Sequence, residues 1–149
     1  MLTVVLFLLV LSLVVLVHEA GHFLVARRSG MRVFEFGWGF PPRLVGWYRD
    51  PATKKWRVVW GSGKSSAANT GGGAEREAEF PSTLYSINWL PLGGFVKIKG
   101  ENGENTVDPD SFGAKKFWPR LLTIVAGVAM NVVLAAVLLS IGFMIGLPT

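Results

Sequence analysis

The chain has 149 residues, half of them hydrophobic, with a mean hydropathy of +0.41, a formal charge of +5 and no cysteine. Without thiols there are neither disulfides nor thiolate metal sites, so any bound metal must be held by nitrogen and oxygen ligands. All 15 Lys and Arg residues lie between Arg27 and Arg120. Seven acidic residues (Glu75, Glu77, Glu79, Glu101, Glu104, Asp108 and Asp110) are interspersed among them, which speaks against a basic nucleic-acid surface. The two long flanks that lack Lys and Arg point to a membrane protein.

Residues 2–26 form the first predicted span. A helix of that length measures about 37 Å, enough to cross a hydrocarbon core of about 30 Å with some tilt. A cleaved signal peptide does not fit: no basic segment precedes Leu2, and the apolar run continues into Val17-His18-Glu19-Ala20-Gly21-His22-Phe23. On a helix, residues four apart lie about 40° apart around the axis, so His18 and His22 can aim two imidazoles at one point. Glu19 lies about 100° round from His18 and can reach a water on a metal without ligating it. This is the arrangement of a zinc peptidase, with two His ligands and a Glu general base. The alternative is a set of satisfied polar residues in a helix bundle. Ionisable groups inside a membrane span are costly, however, and mark functional sites. Counted back from Arg27, His22 lies about 7 Å deep and His18 about 13 Å.

Residues 27–60 read as a cytoplasmic β-rich region. Met31–Phe36 alternates apolar and polar, Gly37-Trp38-Gly39 and Pro41-Pro42 break it, and Arg43–Tyr48 and Lys55–Trp60 are two further strands around an Asp50-Pro51 turn. Its many Trp and Tyr residues suit a small β-core or contact with the membrane interface. Residues 61–80 are Gly- and Ser-rich and are expected to form a flexible loop. Residues 81–100 form a predicted membrane-associated β-hairpin. Thr83–Leu90 is a strand, Gly93-Gly94 a bulge or a simple turn, and Phe95–Ile98 a short strand whose free edge could pair with an extended peptide.

Residues 101–120 are a polar connector in which Asp108 and Asp110 read as a solvated turn and helix cap rather than metal ligands. Residues 121–147 are the second span. Its one strongly polar interior residue, Asn131, lies about 15 Å from the Leu121 end, close to the depth of His18 in an antiparallel pair. Asn131 could glue helices together or hold a substrate backbone or a ligand, and Gly127 can let the helices approach closely. The fold class expected is thus an α-helical membrane protein with a β insert: two transmembrane helices flanking a cytoplasmic, membrane-associated β-hairpin or small sheet. Arg27, Arg28 and Arg32 beside one span and Lys115, Lys116 and Arg120 beside the other put residues 27–120 on the cytoplasmic side and both ends outside, in a cytoplasmic (inner) membrane.

His18-Glu-Ala-Gly-His22, Phe34-Glu-Phe-Gly-Trp-Gly39, Pro91-Leu-Gly-Gly-Phe-Val-Lys97 and Ala126-Gly127 through Asn131, in this order, make the chain resemble the site-2 protease family of intramembrane zinc metalloproteases. It is most similar to the bacterial branch that cleaves membrane-bound anti-sigma factors. The resemblance implies Zn2+ as cofactor, His18 and His22 as metal ligands and Glu19 as general base. It implies a single-pass membrane protein as substrate. Gly93, Gly94, Phe95 and Val96 would belong to the hairpin that presents an edge to the substrate, and Asn131 would help to handle it. Two departures stand out. Val128 follows Gly127 where the family usually has Pro, which would straighten the helix locally. The family's third ligand, an Asp in a Leu-Asp-Gly motif on a later span, is absent, as are its PDZ domains, so the chain reads as the N-terminal part of a longer protein. The rival readings are a non-catalytic module that binds a partner's transmembrane helix, and a metal-transporting or metal-sensing membrane protein.

Overall fold

The computed structural model describes residues 1–61, 80–103 and 107–146. Two helices, α1 (Leu2–Arg28) and α2 (Phe117–Ile145), enclose three strands in sequence: β1 (Val33–Arg49), β2 (Trp56–Trp60) and β3 (Leu84–Ile98). The flexible loop expected at 61–80 lies almost wholly outside the described residues.

Both helices are apolar on every face, with best 18-residue windows of mean hydropathy 2.6 and 2.5. Their Leu, Val and Ile side chains are mostly exposed, whereas a soluble core helix would bury them. Each is long and apolar enough to cross a membrane. α1 ends in a Schellman motif. Gly30 takes φ +69°, its N–H bonds to Arg27 O at 3.1 Å, and Met31 N–H reaches back to Ala26 O at 2.9 Å. This turn sends β1 back along α1 and seats Met31 in a small core with Ala26, Val33 and Ile98. Close to this turn, α2 starts after its N-cap Lys116, with Pro119 in its first turn, where a missing N–H costs nothing.

The helices pack antiparallel, His22 beside Thr123 and His18 beside Asn131. Their closest approach is at Gly21. A Cβ there would collide with the Ala126 carbonyl oxygen and stand 2.8 Å from Met130 Cγ. Glycine inside a helix costs about 1 kcal/mol relative to alanine; here it permits backbone-to-backbone contact. The approach allowed for at Gly127 is observed, and α2 runs without interruption through Val128.

The sheet has the order β2-β1-β3, with antiparallel pairing except where Leu84–Ile87 runs in the same direction as Glu35–Trp38. Gly37-Trp38-Gly39 and Pro41-Pro42, expected as breaks, and Gly93-Gly94, expected as a bulge or a turn, lie within two long strands that bend there. The breaker residues end the regular register, which shifts repeatedly between Val33 and Val45, without ending the pairing. As a result, the first half of β3 is flanked twice by β1. Tyr85, Ser86 and Ile87 pair with Phe36, Gly37 and Trp38 on one side, and with Trp47, Gly46 and Val45 on the other. The second half of β3, Gly94–Ile98, pairs with Val33–Trp38 and forms the sheet's edge.

The sheet climbs along α1. Arg27 Nη1 donates to Tyr85 OH at 3.2 Å, Phe23 packs on Phe36 and Tyr85, and Trp38 Nε1 donates to Ser12 Oγ at 2.8 Å. From Arg27 to Ser12 is about 22 Å of helix. Polar groups buried within the sheet include Asn88, whose Nδ2 donates to Gly39 O at 3.0 Å, and Arg43, whose Nε donates to Gly61 O at 3.1 Å.

Asp108 and Asp110 both lie 2.8 Å from Lys99 Nζ. The hydrogen bond to Lys99 holds Asp110 below the usual carboxylate range, and the bonds to Asp108 and then Asp110 raise Lys99. Because Asp110 is depressed in the folded state, its tie to β3 is complete above about pH 4 and is lost as pH falls through its lowered pKa. Lys99→Met is expected to move the Asp110 titration upward, as followed by carboxyl NMR shifts. For the helix contact, Gly21→Ala is expected to lower thermal stability by about 1–3 kcal/mol, because the carbonyl it meets cannot yield as a side chain would. An unchanged melting temperature would place the helices farther apart.

Candidate metal centre

His18, Glu19 and His22 lie in the middle and second half of α1, all half-buried. The two rings stand edge to face, with centroids 4.8 Å apart. Each ring uses its Nδ1 on α2: His22 Nδ1 is 2.6 Å from the Thr123 carbonyl oxygen, and His18 Nδ1 is 3.2 Å from Asn131 Nδ2. A carbonyl oxygen only accepts, so His22 Nδ1 is the donor and Nε2 carries the lone pair in the neutral ring.

Both Nε2 atoms face one place. A Cβ built on Gly127 would stand 2.5 Å from His18 Nε2 and 2.5 Å from His22 Nε2. The missing side chain of Gly127 thus lets the two imidazole nitrogens lie close together against α2. Imidazole nitrogens presented one helical turn apart suit a zinc ion. The donor chemistry fits as well, since outer-shell partners on Nδ1 are how metal-binding histidines are oriented. Among the described residues, no group of three or more His, Cys, Asp or Glu side chains is placed to hold a metal. The described residues therefore offer two candidate ligand nitrogens, and a catalytic zinc site needs a third protein ligand.

Glu19 points toward β3. The Val96 backbone amide faces its carboxylate, and a Cβ on Gly94 would lie 3.8 Å from Glu19 Cγ and 3.7 Å from Leu16 Cδ1. Gly93, at φ +78°, passes against Val15. So Gly93, Gly94 and Val96 meet α1 beside the histidines. Phe95 does not: its ring packs over Gly37, where a Cβ would stand 2.5 Å from Phe95 Cε1. Alternation along the strand sends the side chain of Phe95 to the face opposite its neighbours.

Sequence reasoning passed over two parts of the site. Gly21 could have been noticed as an unexplained glycine in a helix interior. The Thr123 carbonyl left no trace, because every residue has a carbonyl. Gly127→Ala puts a methyl group 2.5 Å from both Nε2 atoms and forces the two rings to move. It is expected to abolish zinc binding while the helices stay associated, measured by chelator competition together with circular dichroism. Zinc affinity equal to that of the unmodified chain would place the metal elsewhere.

Residues 6–60 and 76–147 match Peptidase family M50. Relatives include proteins named "Putative zinc metalloprotease" from three bacteria. The Clostridium acetobutylicum protein is 34% identical over 98% of this chain and 34% of its own length. The Chlamydia pneumoniae protein is 34% identical over 93% of this chain and 19% of its own length. The Thermotoga maritima protein is 29% identical over 87% and 20%. This chain thus spans about a third, or less, of the length of these relatives. With a family match across most of its length, the chain belongs to peptidase family M50, the site-2 protease family of zinc metalloproteases.

Proposed function

We propose that this chain carries the His–Glu–His half-site of a zinc endopeptidase that cuts transmembrane segments of single-pass membrane proteins, anti-sigma factors among them. The observation that carries the reading is the convergence of His18 and His22 Nε2 beside Gly127, with Glu19 next to the edge of β3. Zinc, when bound there, supplies Lewis-acid activation of water and of the scissile carbonyl. His18 and His22 hold it. Glu19 takes the proton from the attacking water and hands it to the leaving amine nitrogen.

A transmembrane helix shields its own peptide bonds, so the substrate must unwind before it is cut. The second half of β3 is the sheet's edge and passes beside Glu19, so that an unwound segment can be held there as an added strand. Gly93 and Gly94 keep this edge close to α1. The contacts from Arg27 to Ser12 bring the sheet alongside a helix long enough to span the bilayer, so we place its far tip, with exposed Phe40, Trp89 and Leu90, within the membrane. Backbone at that depth is tolerable because the strands pair with one another and with buried side chains. The basic clusters flanking both spans put residues 27–120 on the cytoplasmic side of the inner membrane.

Glu19→Gln in the full-length protein carrying this chain is expected to abolish cleavage of a single-span substrate while zinc stays bound. Normal cleavage by that variant would remove Glu19 from the role of base. Cysteines placed at Asn102 and at Met1 should label from opposite sides of the membrane; labelling from the same side would overturn the two-span topology.

A further inference from the structure

The two histidines are oriented by different kinds of partner. His22 Nδ1 rests on a backbone carbonyl, which accepts and cannot donate. Its tautomer is therefore set by the fold, and no side-chain substitution removes that partner. His18 Nδ1 rests on the side-chain amide of Asn131, and an amide has one accepting and one donating end. With Nδ2 against His18, as placed, Nδ1 is the acceptor and the proton sits on Nε2. With the amide turned over, Oδ1 accepts from Nδ1–H and Nε2 is free to bind metal. Asn131 Oδ1 is buried and has no hydrogen-bond partner in its present position, and the two ends of an amide are distinguished only by their hydrogen bonds.

The geometry beside Gly127 decides between the two seats. Both Nε2 atoms lie 2.5 Å from the position a Cβ on Gly127 would take and are therefore close neighbours, and His22 Nε2 carries a lone pair. A single ion between them requires a lone pair from His18 as well. We infer that Asn131 is a positioning residue of the metal centre: it turns its Oδ1 to His18 Nδ1–H and thereby fixes His18 as an Nε2 ligand. This rests on the zinc-site reading given above and assigns Asn131 to the metal rather than to the substrate. Its place on α2 makes that helix the outer shell for both ligands, through a backbone carbonyl for His22 and a side chain for His18.

The chain contains only two histidines, so long-range proton–nitrogen NMR spectra of the purified chain in detergent read each ring's tautomer directly. In the unmodified chain both rings are expected as Nδ1–H. Asn131→Leu, similar in size but without an acceptor, should release His18 into a tautomer mixture and leave His22 unchanged. Zinc affinity measured by chelator competition should fall by about 10- to 100-fold, the usual loss for an outer-shell partner. Asn131→Asp keeps the acceptor and should restore both the His18 tautomer and the zinc affinity. An Asn131→Leu chain with the original His18 tautomer and zinc affinity within twofold would overturn the inference. So would an Asn131→Asp chain whose His18 stays mixed, a comparison that also decides the case if Asn131→Leu disturbs both rings. If the unmodified chain shows the expected tautomers but binds no zinc, the zinc-site reading fails while the orienting role of Asn131 stands.

Discussion

The contact between α1 and α2 at Gly21, Ala126 and Gly127 is the constraint on which the rest of the molecule depends. In lipid, two apolar helices gain nothing from hiding hydrophobic surface, and they associate through close packing and hydrogen bonds. Gly21 removes the side chain that would hold the backbones apart, and Gly127 makes room for the His18 and His22 rings. That proximity puts the His22 ring within reach of the Thr123 carbonyl and the His18 ring within reach of Asn131. Separated by the width of one more side chain, the helices would leave both imidazoles free to rotate, with no preferred nitrogen toward the metal.

The same economy governs the polar groups of α1. Ser12 is nearly inaccessible within an apolar helix and is satisfied by Trp38 from the sheet. Glu19 faces the Val96 amide at the sheet's edge. The sheet in turn keeps Asn88 and Arg43 bonded to backbone carbonyls at its own bends. These four polar groups are each answered by a neighbouring segment, as burial away from water requires. The chemistry collects at the junction of α1, α2 and β3 because three elements can there present donors and acceptors to one another and still leave the Nε2 atoms and the Glu19 carboxylate for a reaction.

The strands show why local signals misled. Gly37–Pro42 and Pro91–Gly94 carry the residues that ordinarily end strands, yet β1 and β3 continue through them. A glycine or proline removes a side chain or a donor at one position; it does not remove the partner across the ladder. Here the bends fold each long strand so that one half of β3 lies between two halves of β1. Pairing between segments some fifty residues apart overrides the local preference.

What the amino-acid order determined alone was whatever depends on spacing and hydropathy. The two long apolar helices, the histidines one turn apart with Glu19 beside them, and the depth match of Asn131 with His18 are properties of a regular helix, and regular geometry can be counted along a chain. Tertiary structure alone decided which nitrogen of each ring is held, that Gly21 meets the Ala126 carbonyl while Gly127 meets the two imidazoles, that Phe95 turns away from the site, and that the Thr123 carbonyl faces His22 Nδ1. These depend on the position of one element against another. A backbone carbonyl or an absent Cβ acquires its role only when a partner arrives, and nothing in the local sequence announces that arrival.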